Sequence, residues 1–117
     1  MGADLYRKDK VVPILGFERS ERAVESGYFR DSYNSGSILN KYGLSWWVDI
    51  SKLQNKEGVI TCAKVKKFRA MLNDEGFEFS IKDETEGDQK YFREGAELLK
   101  KYLDDTIKNN ASIEASL

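Results

Sequence analysis

The stretch from Gln89 to Asn109 constrains this chain most. Phe92, Ala96, Leu99, Leu103 and Ile107 recur at three- and four-residue spacing, and Leu98 and Tyr102 widen the stripe. That pattern predicts a helix over 89–109 with one broad apolar face. Arg93/Glu97, Glu97/Lys101 and Lys101/Asp105 fall four apart, as opposite-charge pairs do on a solvated face. An apolar face this wide closes either an intramolecular bundle or the seam of a homodimer.

Upstream, the pattern is shorter and more broken. Residues 3–7 (ADLYR) suit a short strand. VVPIL at 11–15 is apolar, but Pro13 cannot donate to a ladder, so an edge strand or extended segment is expected there. Ser20 caps a short helix that Gly27 stops. DSYNSG at 31–36 is dense in turn formers. Ser37 or Ser35 caps a helix over 37–43 that ends at Gly43. Ser45 caps another over 46–54, with Trp46, Trp47, Ile50 and Leu53 close to one face. NKEG at 55–58 is a turn. Val59 and Ile60 lead to Thr61, the expected cap of a helix at 62–73 carrying Val65, Phe68, Met71 and Leu72. Gly76 closes that local order. FEFSI at 77–81 alternates Phe77, Phe79 and Ile81 and reads as a strand. An acidic loop at 82–89 precedes the last helix. The fold class expected is mainly α, with four to five helices and short peripheral β-strands, and α+β as the alternative. Residues 1–117 are read as one domain, long enough to bury a core.

Composition removes much chemistry. There is no histidine, so Ser-His-Asp and Cys-His catalysis and histidine metal ligation are excluded. The single cysteine, Cys62, allows no internal disulfide and, without histidine, none of the usual zinc sites; a reducing, cytoplasmic setting is expected. Cys62 itself reads as a small buried hydrophobe. No phosphate-binding glycine loop is present. No apolar run approaches the roughly 20 residues of a membrane span. Net charge is −1, which argues against a nucleic-acid or membrane partner. Nothing asks for a cofactor or metal: DSYNSG mimics a calcium loop, but Tyr42 stands where the bidentate carboxylate belongs.

Recognition chemistry concentrates in YFRDSYNSGSILNKYGLSWW, residues 28–47, which holds six of the fourteen aromatics. Arg30, Asp31, Tyr33, Asn34, Trp46 and Trp47 are the candidate ligand- or partner-binding residues. Trp, Tyr and Arg dominate protein-binding hot spots. The same groups could stack on a planar anionic ligand of nucleotide type, with Arg30 holding its charge. The structural reading is that one Trp and Phe29 fill the core while Arg30 and Asp31 tie loop backbone. On a helix Trp46 and Trp47 lie about 100° apart, so both are buried only at a wide interface. Asp31 and Asp49 are the carboxylates nearest the aromatics, and an enzyme built on carboxylates alone ranks below both binding readings. Lys64, Lys66, Lys67 and Arg69 form a basic run that could contact phosphates, but its charges spread around a helix and the acids from Asp74 to Asp88 could neutralise it internally, so a solvated face is the favoured reading.

The motifs MGADLY, GYFRDSYN at 27–34, GLSWW with Val48 and Asp49, and a closing FREGAELLKKYLDDTI followed by SIEASL resemble a family of small uncharacterised bacterial and phage proteins. The resemblance covers most of the chain and departs between residues 8 and 26. It implies the domain outline and a bacterial or phage setting, and it supplies no reaction and no ligand. The function expected is a small intracellular non-enzymatic binding protein, phage or prophage encoded, that contacts a host protein or a second copy of itself.

Overall fold

The computed structural model describes residues 2–11 and 19–117. Its frame is a four-stranded antiparallel sheet packed against helices. The strands are β1 (Gly2–Arg7), β2 (Tyr28–Ser32), β3 (Val59–Ile60) and β4 (Ile113–Ser116), in spatial order β2-β1-β4-β3. The helices are α1 (Glu21–Glu25), α2 (Ile38–Lys41), α3 (Cys62–Ala70), α4 (Asp74–Ile81) and α5 (Glu86–Lys108). A π-helical turn, Trp46–Ile50, runs into a 3-10 turn, Ser51–Leu53.

This arrangement overturns the expectation of a mainly α protein with peripheral strands. The sheet is central and the class is α+β. The first and last strands in the sequence are neighbours at the middle of the sheet, with Asp4 opposite Ser116 and Arg7 opposite Ile113. Their pairing is invisible to local pattern reading because over a hundred residues of chain separate them. The alternation of Ile113 and Ala115 with Glu114 and Ser116 is nevertheless a period-two signal, and both apolar residues face the core.

A second correction concerns FEFSI. It is helical, inside α4. Phe77 and Ile81 stand four residues apart, which places them on one face of a strand and also on one face of a helix. The deciding signal lies upstream: the Asn73 side chain accepts from the Gly76 amide at 3.1 Å, with Asp74 and Glu75 in the first turn. Gly76, read as a stop, sits inside that first turn. Phe79 is 69% exposed, with the Lys82 ammonium 4.1 Å from its ring centre.

Other expectations are met in part: α3 stops at Ala70 short of the expected 73, and the helix expected over 46–54 is the π-helical and 3-10 pair. Ser20, Ser37 and Ser45 cap α1, α2 and the π-helical turn through their hydroxyls, and Gly27 follows α1 with φ of +100°. Thr61 occupies the cap position of α3, but its side chain makes no capping bond. The expected segment 11–15, Val11 apart, lies outside the described residues. Helix α5 begins three residues earlier than expected, capped by Thr85, and buries Phe92, Ala96, Leu99, Tyr102 and Leu103. Its face closes inward, against α1, α2, α3 and β2. Gly95 lets α2 approach: a Cβ there would stand 2.3 Å from the Ile38 Cδ1. The charges of α5 mostly reach other elements rather than the expected i,i+4 partners. Arg93 forks onto Glu78 of α4, Lys101 meets Glu25 of α1 at 3.2 Å, and Glu97 pairs with Lys100 at 2.9 Å.

Candidate functional site

Strand β2 alternates, so Arg30 and Asp31 point to opposite faces of the sheet, and this divides the candidate residues. Arg30 stands across from Asp4 in the β1 ladder and donates to its carboxylate at 2.7 Å. The Tyr28 hydroxyl donates to the same carboxylate. Burial, and then the hydrogen bond to the Asp4 carboxylate, push the Tyr28 phenol well above its ordinary value.

Asp31 faces the core and is 1% exposed. Its Oδ1 accepts from Arg19 Nη1 (3.0 Å), the Ser32 amide (3.0 Å) and the Ile38 amide (2.9 Å). Its Oδ2 accepts from the Ser37 hydroxyl (2.9 Å), the Leu39 amide (3.0 Å) and the Trp46 indole Nε1–H (2.9 Å). One carboxylate therefore caps α2, fixes the loop that leads to it, and holds an indole fifteen residues away. A four-residue helix such as α2 cannot stand on its own propensity, and two of its orphan amides end on Asp31. With six donors around it, Asp31 has no lone pair left for a substrate. Asp49 accepts from the Ser45 amide at 2.8 Å, which ties one of its oxygens into the turn. The saturated Asp31 gives the carboxylate-enzyme reading no support.

Trp46 is buried (2% exposed), with its ring edge-on to Phe68 at 5.8 Å between centroids. Asn34 closes the turn, its Oδ1 accepting from the Gly36 amide at 3.0 Å and the Ser32 hydroxyl at 3.1 Å. Four of the six candidates, Arg30, Asp31, Asn34 and Trp46, are therefore engaged in building the frame. The other two come together. Trp47 is 61% exposed, and its ring lies 4.4 Å from that of Tyr33, tilted by 38°. Val48, which sequence reasoning passed over as a candidate, is 57% exposed beside it.

The backbone explains why Trp46 and Trp47 part company. The Ile50 amide donates to the Ser45 carbonyl at 3.2 Å, a five-residue span that widens the turn. Ser45 and Asp49 cap it reciprocally, Ser45 Oγ accepting from the Val48 amide and Asp49 from the Ser45 amide. Trp46, Ile50 and Leu53 go inward, while Trp47 and Val48 stay out. Asp31 anchors both sides of the exposed pair: Tyr33 follows it by two residues in the chain, and Trp47 adjoins the indole it holds. A second residue that sequence reasoning missed is Arg19. Its guanidinium bridges Asp31 to the half-exposed Tyr91, donating to the phenol and lying 5.0 Å from that ring's centre.

Four depressions are lined by the described residues, none of them by Tyr33 or Trp47, and two bear on the site. One of about 380 Å³ lies between α4 and α5, floored by Tyr42, Phe77 and Ala96. Its rim cations are paired, Arg93 with Glu78 and Lys100 with Asp74 and Glu97. Burial, and then Asp74, raise the Tyr42 phenol well above its ordinary value. The other, about 630 Å³ and shallow, runs from Arg19 to Lys101. Among the described residues no group of three carboxylate or cysteine side chains could hold a metal ion, and no helix is long and apolar enough to cross a membrane. No family model matches the chain, and neither a curated protein nor a solved structure matches it.

Proposed function

We propose that the chain is a small intracellular binding protein without a catalytic role, phage or prophage encoded, which docks a host protein on the surface formed by Tyr33, Trp47 and Val48. One observation carries this reading: an indole left 61% exposed and stacked on Tyr33, beside an indole the same turn buries. A large ring held still on a rigid turn loses little entropy when a partner covers it, which is the usual anatomy of a binding hot spot. The support is selective. Arg30 takes no part, because Asp4 and the sheet hold it on the other face, and this also removes the charge that a nucleotide-like ligand would need beside the rings.

The test is capture from bacterial lysate with wild type and Trp47→Ser, followed by titration of the purified partner. Truncation of a hot-spot aromatic costs 2 kcal/mol or more, so the variant should bind at least about 30-fold more weakly. Equal capture by both proteins, or nothing beyond a tag-only control, would refute the proposal.

A further inference from the structure

The acids that follow the basic run could have neutralised it, but the fold directs three of them to other cations. Asp74 pairs with Lys100, Glu78 with Arg93, and Glu84 with Lys41. Arg69 alone of the run is engaged, on Asp104 of α5 at 2.8 Å. Lys64, Lys66 and Lys67 are exposed, and among the described residues they have no ion-pair or hydrogen-bond partner. They belong to a polarised segment. Residues 51–73 contain Lys52, Lys56, Lys64, Lys66, Lys67 and Arg69 against the single acid Glu57, inside a chain of net charge −1.

The helix presents these charges in a particular shape. Val65 and Phe68 fix the buried side of α3. At about 100° per residue, the opposite side is a ridge of Ala63 and Ala70, with Lys66 on one flank and Lys67, then Lys64, on the other. Both alanines are exposed. A slender ridge flanked by ammonium groups on both sides matches a groove bordered by two phosphate strands. The major groove of B-form DNA is about 12 Å wide and admits a helix, whereas that of A-form RNA is too deep and narrow. We propose that the exposed face of α3 binds double-stranded DNA through its phosphates. Lys66 contacts one strand, Lys67 and Lys64 contact the other, and Ala63 and Ala70 face the bases without reading them. This surface is independent of the aromatic one.

The experiment is fluorescence anisotropy with a labelled 20-base-pair DNA duplex, titrated with the whole chain from about 50 to 200 mM salt. Three phosphate contacts predict a slope of log K against log salt near −2.7, which is about a 40-fold loss of affinity across that range. Lys64→Glu/Lys66→Glu/Lys67→Glu should abolish binding, and the glutamine triple should weaken it at least tenfold, with circular dichroism confirming that both fold. Lys108→Glu, on an exposed residue of α5, should change affinity less than twofold. Undetectable binding at 50 mM salt, a slope near zero, or triple variants that bind like wild type would overturn the proposal. Equal affinity for an RNA duplex would overturn the groove geometry. Tighter binding to polyglutamate than to DNA, lost in the glutamate triple, would assign the face to an acidic protein instead.

Discussion

Replacing Asp31 by asparagine changes one atom and almost no volume, yet it should rank among the most damaging substitutions in this chain. Each carboxylate oxygen accepts three hydrogen bonds. Whichever way an asparagine amide turns, its NH2 must face three donors and can accept from none. Ser37, Ile38 and Leu39 are fully buried and Trp46 nearly so, so water cannot readily replace the lost acceptor. A buried donor left unpaired costs at least about 1 kcal/mol. Turned toward Ser37, Leu39 and Trp46 the NH2 strands three buried donors, and turned the other way it strands the Ile38 amide and opposes Arg19, so Asp31→Asn should cost about 2–4 kcal/mol. Asp31→Ala strands the four donors of Ser37, Ile38, Leu39 and Trp46 and should cost about 4 kcal/mol. Against a total of roughly 5–15 kcal/mol for a domain of this size, either variant approaches unfolding. Urea titration followed by tryptophan fluorescence reads the effect as a lower midpoint at unchanged slope, and the melting temperature should fall by roughly 8–16 °C. If Asp31→Asn lies within 1 kcal/mol of wild type, the argument that this carboxylate organises the fold is wrong.

Three further outcomes are expected. Gly95→Ala gains about 1 kcal/mol of helix propensity but drives a methyl into buried Ile38, a 2.3 Å approach that overpacking costs of about 1–3 kcal/mol should outweigh; thermal melts should show a net loss that Ile38→Val relieves, and a stabilised Gly95→Ala would contradict the contact. Trp47→Ser should leave stability within about 1 kcal/mol and remove the red-shifted part of the emission, whereas Trp46→Phe should cost more than about 2 kcal/mol and remove the blue-shifted part. Tyr28, Tyr42 and Tyr102 all have phenols raised by burial above their unfolded value near 10. Below pH 10 both states hold these protons and stability is intact. Above it only the unfolded state releases them, so stability should fall by about 1.4 kcal/mol per pH unit for each phenol. Phenolate absorbance and circular dichroism should therefore change together, and six independent titrations near pH 10 without unfolding would refute this.

What could be read from the sequence was what is decided locally. The caps at Ser20, Ser37 and Ser45 and the stripe of α5 each depend on residues within a turn or two of one another. Strand β2 was not legible, because Tyr28 to Ser32 combines aromatics with Arg30 and Asp31 and resembles a loop; an ionised residue inside a buried strand runs against strand preference. What makes Asp31 tolerable is a set of donors from Arg19, Ser37 and Trp46, up to fifteen residues away. For FEFSI the two periods coincide at Phe77 and Ile81, and only Asn73 separates them. The sequence also showed that Trp46 and Trp47 could not both be easily buried. It could not say which would be, since the choice is made by a carboxylate on β2 and by the wider π-helical turn.

The pairing of β1 with β4 has a mechanical consequence. Because Asp4 lies opposite Ser116 and Arg7 opposite Ile113, Gly2 and Leu117 emerge from the same end of that ladder. Tension applied between them acts across the ladder and meets its hydrogen bonds in turn, so the two strands would peel apart like a zip under small force. An unfolding machine that pulls on Leu117 would meet the centre of the sheet as its first, and weakest, mechanical element.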